Sequence, residues 1–169
     1  EYEKVVAIGE IGLDYYYDFS SRDKQRYWFE RQLKLAYELN LPVSIHSREA
    51  AKETFDIIKN SNVRKGVIHA YSGSAEMAKD YIDMGFYIGV GGVITFKNAK
   101  KLIDVVSFAP IERILLETDS PYLSPVPVRG TVNNSQNLKY VAEKIGEIKQ
   151  IEPEKVCEIT AQNAKGIFW

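Results

Sequence analysis

A chain of 169 residues is long enough to bury a real hydrophobic core, and its size suits a single domain spanning 1–169. Its 22 lysines and arginines against 23 aspartates and glutamates leave a net charge of −1. That balance excludes a histone-like or tail-type polyanion binder, although bound divalent cations can supply the positive charge that a phosphate needs. One cysteine, Cys157, excludes an intrachain disulfide and points to a reducing, cytoplasmic compartment. No apolar run approaches the ~20 residues of a membrane span, so no membrane partner is expected, and no signal-peptide pattern is present. The chain runs from its charged start straight into Val5-Val-Ala-Ile, so its beginning reads as truncated.

The elements alternate. The segment 5–10 closes an apolar run on Glu10. Ser20 and Ser21 then mark a helix start, and Phe29, Leu33, Ala36 and Leu39 recur at helical spacing until Asn40-Leu-Pro42 stops the helix. Val43 to His46 reads as a strand, and Glu49 to Asn60 as a helix with Ala51, Phe55 and Ile58 on one stripe. Gly66 to Ala70 is a strand, and Ser74 can cap a helix that ends at Met84-Gly85. Phe86 to Gly92 is a glycine-rich strand, 98–108 a helix stopped by Pro110, and 113–117 a strand. A proline-rich loop runs from Ser120 to about Ser135, and two helices follow at 136–149 and 153–162, the second opening on Pro153. Cys157 falls in an apolar helical pattern and is expected to be buried. Repeated strand–helix units with short links predict an α/β fold with a parallel sheet and helices packed outside.

Four residues of metal-ligand type close four of these apolar runs: Glu10, His46, His69 and Asp119. Parallel α/β folds build their sites at the carboxyl ends of strands. Period-two alternation places Val6, Ile8 and Glu10 on one face, and likewise Ser44 with His46, Val67 with His69, and Leu115 with Glu117 and Asp119. Any one of the four has an ordinary structural alternative as a hydrogen-bonded buried group or a cap. Together, a mixed imidazole and carboxylate set suits Zn²⁺, Mn²⁺ or a similar ion, which generates hydroxide from bound water near neutral pH. Asp14 and Tyr15 to Tyr17 are expected to line the mouth, the tyrosines either as rim packing or as surfaces for stacking bases. Arg48 either clamps a phosphate or caps the next helix. Glu117 reads as a structural partner one layer below Asp119. Gly89, Gly91 and Gly92 leave room for substrate or for backbone. Lys97, Arg129 and Asn133 are either phosphate contacts or solvated surface.

Taken in order, these motifs resemble the TatD family of metal-dependent deoxyribonucleases, a branch of the amidohydrolase-like TIM barrels. The segments that carry the resemblance are AIGEIGLDY at 7–15, LPVSIHSREA at 41–50, IHAYSG at 68–73, GGVITF at 91–96, LLETDSPYL at 115–123, PVPVRG at 125–130 and TAQNA at 160–164, together with Phe168. The resemblance implies a two-metal hydrolase that cleaves DNA phosphodiester bonds at single-stranded or 3′ ends, often as a 3′ to 5′ exonuclease, with Mg, Mn or Zn as cofactor. It implies that Glu10 bridges two metals, that His46 and His69 bind the second, and that Asp119 sits at the first and orients or deprotonates the attacking water. Arg48 would hold the phosphate, with Tyr15, Asp14 and Arg129 as further substrate contacts.

Two departures from that pattern matter. The His-x-His pair that opens the family's barrel is absent, and the five strands correspond to its fourth to eighth. The chain is therefore expected not to close an eight-stranded barrel, to lack a complete first metal site, and to offer exposed edges for self-association or for complementation by the missing N-terminal strands. Asn133-Asn-Ser135 stands where the family carries an Asn-Glu-Pro type of sequence. A small-molecule amidohydrolase or lactonase on the same barrel, and an inactive fragment, are the competing readings. Glu10 at the position where many of those amidohydrolases carry a modified lysine favours the nuclease.

Overall fold

The computed structural model describes residues 4–17 and 19–169. Five strands, β1 (Ile8–Asp14), β2 (Val43–Arg48), β3 (Gly66–Ile68), β4 (Phe86–Val90) and β5 (Ile114–Leu116), alternate with α1 (Arg22–Glu38), α2 (Ala51–Asn60), α3 (Ala75–Asp83) and α4 (Lys100–Phe108). Two further helices, α5 (Leu138–Lys149) and α6 (Pro153–Phe168), close the chain. All pairings are parallel and the strands lie in sequence order. A doubly wound sheet reverses its order at a switch point, and this one does not. Right-handed crossovers that always step the same way put every connecting helix on one face, which is the geometry of a barrel wall. Among the described residues the sheet is open: β1 and β5 each have one neighbour.

The register explains how the two faces divide. Ile45, Ile68, Ile88 and Ile114 lie side by side across four strands, all fully or almost fully buried beneath Phe29, Leu33, Ile58, Tyr81 and Val105 of the helices. One residue away along each strand the side chains point to the opposite face. There Val67, Leu115 and Tyr87 meet Ile167 and Phe168 from the end of α6 in a second, smaller cluster. His46, His69 and Glu117 continue this inner face towards the carboxyl ends of their strands. Strands β2 to β5 keep the alternation. In β1 the pairing shifts between Ile8 and Ile11, so period two alone does not carry Val6, Ile8 and Glu10 onto one face.

Several local expectations are corrected. Helix α1 stops at Glu38, one residue before the apolar stripe predicts. Asn40 takes a left-handed conformation (φ 52°), which asparagine tolerates, and Leu39 is turned out to solvent. The buried stripe of α2 passes through Thr54 and Ile58 and leaves Ala51 exposed; the Thr54 hydroxyl accepts a hydrogen bond from Ser47 at 3.0 Å, so a polar residue occupies the apolar side. Cys157 is exposed, because the buried stripe of α6 runs through its neighbour Val156 and Thr160 and one step around a helix is about 100°. The same helix continues past the predicted end to Phe168. Asn163 anchors it by donating to the carbonyls of Ile111 and Ile114, both at 2.9 Å.

Gly12 is the tightest point of the β1–β2 pairing. Its φ is +145°, and an added Cβ would lie 1.9 Å from the carbonyl oxygen of His46. Gly12→Ala is expected to destabilise the chain by more than about 3 kcal/mol. Gly166→Ala, with open space around the new methyl on α6, should be neutral or stabilise by up to about 1 kcal/mol. Denaturant midpoints of the two variants check the contrast; equal midpoints would remove the close-approach argument.

Candidate metal centre

The strands deliver the candidate ligands to one rim. Glu10 and Asp14 lie on β1 and His46 and Arg48 on β2, His69 is the first residue beyond β3, and Glu117 is the first beyond β5. Because β3 and β5 are only three residues long, His69 and Glu117 leave the sheet at once and belong to the loops above it.

Each imidazole stands between two carboxylates. His46 Nδ1 is 2.9 Å from Glu10 Oε1, and its Nε2 is 2.9 Å from Asp14 Oδ2. His69 Nδ1 is 2.8 Å from Glu117 Oε2, and its Nε2 is 3.3 Å from Asp119 Oδ1. The second Glu117 oxygen accepts the Ala70 backbone N–H at 2.6 Å. Ala70 and Asp119 both have left-handed backbones, φ 43° and 58°. Such conformations in non-glycine residues persist only where surrounding contacts enforce them. The Glu117 bond enforces Ala70, and the Tyr122 N–H bond to the Asp119 carbonyl, 2.9 Å, closes the turn at Asp119.

The electrostatics follow the pairing. The hydrogen bond to Glu10 raises the pKa of His46, against burial, and Asp14 adds to the effect. The same bond lowers the Glu10 carboxyl. The Glu117 hydrogen bond pushes His69 up to about 9. At Asp14 burial acts upward, but the backbone N–H groups of Tyr17 and Tyr16, together with His46, outweigh it and the pKa falls. The His69 imidazolium thus holds Glu117 and Asp119 together, and Glu10 and Asp14 favour the protonated form of His46.

A divalent cation can serve the same carboxylates with the imidazoles deprotonated, and the mixed nitrogen and oxygen donor set fits such an ion. The side chains are paired rather than converged: among the described residues no three or more His, Cys, Asp or Glu side chains are grouped as a ready-made metal cage. The chain presents donor groups of a kind that a metal ion can use, in two imidazole–carboxylate pairs that line one cleft. That cleft has a volume of about 580 Å³ and is lined by Glu10, His46, Arg48, His69, Glu117 and Asp119, with Tyr17 and Tyr122 also on its wall.

Five expected contacts are placed elsewhere. Tyr15 does not line the mouth: it is buried, its hydroxyl donates to Glu53 at 2.6 Å, and Arg22 covers its ring. Asp14 lies behind His46 and accepts the Tyr16 and Tyr17 N–H groups, both at 3.0 Å, so it orients an imidazole and caps a turn. Arg129 is exposed over the ring of Phe96, 4.0 Å from its centroid, and does not line the cleft. Asn133 is neither phosphate contact nor solvated surface. It is buried, and its amide donates to the carbonyls of Thr118 and Tyr122 at 2.7 and 2.8 Å. It therefore clamps the loop that carries Asp119, a role the sequence signalled only as an Asn-Asn pair. Lys97 is exposed and away from the cleft. Gly89 and Gly92 make room for protein: a Cβ on Gly89 would lie 2.4 Å from Glu117 Oε2, and one on Gly92 2.3 Å from the Leu123 carbonyl oxygen, whereas Gly91, with its nearest neighbour at 3.3 Å, lies on the cleft wall. Tyr122 joins the cleft wall although sequence reasoning gave it no role there.

In the metal-free chain His69 is expected to remain protonated at neutral pH and to titrate near pH 9. Its folded pKa exceeds the unfolded value, so its contribution to stability, on the order of 3 kcal/mol, is complete below about pH 6.5 and lost as pH rises through about 9. Glu117→Gln should flatten that dependence, and Gly89→Ala should act the same way by displacing the Glu117 carboxylate. Denaturation at pH 6 and pH 10 with an NMR titration of the imidazole measures both effects. An imidazole that titrates at or below 6.5 in the folded chain would remove the pairing.

The family described as TatD related DNase matches residues 1–169. The uncharacterized metal-dependent hydrolase YabD of Bacillus subtilis is 47% identical over 169 residues, which are 99% of this chain and 66% of YabD. The uncharacterized metal-dependent hydrolase YcfH of Escherichia coli K12 is 39% identical over 168 residues, 98% of this chain and 63% of YcfH. Among solved structures, YjjV, a TatD homolog from Escherichia coli, superposes with a TM-score of 0.91 at 34% identity, over 98% of this chain and 64% of YjjV. The chain thus spans just under two thirds of the length of these relatives. With its whole length matched and its parallel sheet superposing on that of YjjV, the chain belongs to the TatD family of metal-dependent hydrolases and covers about two thirds of their TIM barrel.

Proposed function

We propose that the protein containing this chain hydrolyses DNA phosphodiester bonds at single-stranded or 3′ ends, with 3′ to 5′ polarity, using water activated at a divalent-metal centre. The observation that carries this reading is the meeting of Glu10, His46, His69 and Asp119 in a cleft whose wall also holds Arg48. A guanidinium at that position matches the charge and the paired oxygens of a phosphodiester, and so favours that substrate over a neutral amide or lactone. Glu10, His46, His69 and Asp119 would hold Mg, Mn or Zn, two ions in the complete site, and the bound cation lowers the pKa of water and offsets phosphate charge.

The chain's own residues then divide the remaining work. Arg48 binds a non-bridging phosphate oxygen. Asp119, half open to the cleft, accepts the proton of the attacking water. Asp14 and Glu117 fix the tautomer and direction of the two imidazoles from behind. Both histidines of the chain are used in this scheme, so the remaining ligands of the first ion come from N-terminal barrel strands that pair with the open sheet edges. A lone cysteine suits a cytoplasmic setting for this activity.

The test is cleavage of end-labelled single-stranded DNA with Mn²⁺ or Mg²⁺ by this chain and by a form extended upstream through the missing strands. Cleavage is expected in the extended form. There, Glu10→Ala should abolish metal binding and cleavage together, and Asp119→Asn should retain metal while lowering turnover by about 10²- to 10⁴-fold. An extended, metal-loaded protein that hydrolyses lactones or amides and leaves DNA intact would overturn the reading.

A further inference from the structure

Strand β1 ends at Asp14, and among the described residues β1 has a neighbour on one side only. An edge strand leaves backbone groups on its open side without a ladder partner. The Tyr15 N–H donates across to the Arg48 carbonyl of β2 at 2.9 Å. Neighbouring residues of a parallel strand turn their backbone groups to opposite sides, so the N–H and carbonyl of Asp14 face away from β2. Gln25 meets both. Its Oε1 accepts the Asp14 N–H at 2.9 Å, and its Nε2 donates to the Asp14 carbonyl at 3.0 Å and to the Ser20 carbonyl at 2.9 Å. A side-chain amide thus takes the place of a neighbouring strand for one residue.

Gln25 is itself placed by the first turn of α1, where its N–H donates to the Ser21 carbonyl at 3.0 Å. The bonds run on to the candidate centre through Asp14. One Asp14 oxygen accepts the Tyr16 and Tyr17 N–H groups, both at 3.0 Å, and the other stands 2.9 Å from His46 Nε2. A carboxylate aims an imidazole only as well as its own backbone is held, and the pairing of β1 is irregular between Ile8 and Ile11. The Asn133 amide holds the loop of Asp119 in the corresponding way. Each half of the centre is therefore backed by one carboxamide that bridges main-chain groups. Among the described residues the cleft wall does not include Gln25, so it acts through Asp14 alone.

We propose that Gln25 is a positioning residue of the metal centre: by fixing the Asp14 backbone it holds the Asp14 carboxylate against His46 Nε2 and so sets the direction of that imidazole. The inference rests on the reading of the cleft as a metal site. Groups that orient a ligand imidazole typically contribute about 10- to 100-fold in metal affinity, and Gln25 stands directly behind such a group.

The test compares the wild-type chain with Gln25→Leu and Gln25→Met, which keep bulk and helix propensity while removing the amide. In the metal-free chain, amide hydrogen exchange followed by NMR is expected to quicken about fivefold at Asp14 and also at Tyr16 and Tyr17, whose N–H groups Gln25 does not touch, with α5 unchanged. With Mn²⁺ alone as the probe, the dissociation constant is expected to rise by about tenfold in both variants. Quickening confined to Asp14, or spread evenly through the chain, would make Gln25 an edge cap or a general stabiliser and overturn the proposal. An unchanged Mn²⁺ affinity beside local quickening would overturn it too. A wild type that takes up no Mn²⁺ would overturn the metal reading, and exchange at Tyr16 and Tyr17 would still decide whether Gln25 holds the Asp14 carboxylate.

Discussion

Two imidazoles, each bracketed by two carboxylates on the inner face of a parallel sheet, organise the functional end of this chain. Four carboxylates close to one cleft repel one another, and positive charge must offset that repulsion. In the metal-free chain the proton on His69 supplies part of it, and the carboxylates beside both imidazoles raise their basicity while the His46 bond lowers the pKa of Glu10. The same arrangement defines what a divalent cation would replace. Metal affinity and imidazole protonation are therefore two sides of one equilibrium.

The sheet makes this arrangement possible by its order. Strands that step always in one direction bring His46 beside Gly12 and place His69 and Glu117 on the next rungs of one rim. Close contacts then define the details. Gly89 has no side chain, and the Glu117 carboxylate occupies the space that one would fill. Asn133 ties the carbonyls of Thr118 and Tyr122 together and so sets the path of the Asp119 turn. Two residues with no chemistry of their own thus aim the groups that have it.

The outer helices and the inner rim answer to different forces. On the outer face, isoleucines in register under helix side chains supply non-directional burial. On the rim, directional bonds dominate, and the left-handed backbones of Ala70 and Asp119 mark where they override local preference. The aromatic residues divide on the same line: Tyr15 goes inward to Glu53, whereas Tyr16 and Tyr17 remain outside over Arg48.

Much of this was legible in the residues alone. Apolar runs closed by Glu10, His46, His69 and Asp119 announce strand ends that carry polar side chains to one rim, because a parallel strand buried by helices must be apolar and its carboxyl end is where polar groups can emerge. The alternation of 44, 46, 67 and 69 follows from the pleat, and the helices from their periodicity. What only the tertiary structure decided are the partners. Tyr15, Tyr16 and Tyr17 are identical in composition, and nothing local says that the first finds Glu53, 38 positions away. Arg129 reads as a substrate contact or solvated surface in the sequence, yet it stacks on Phe96, and Asn133 reads as loop until its amide is seen between two carbonyls. Cys157 misses its predicted face by a single step around a helix, and Leu39 misses its own because the helix ends before it. Period and residue type are local properties that a sequence displays directly, whereas hydrogen-bond partners 15 and 50 positions apart exist only once the chain has closed on itself.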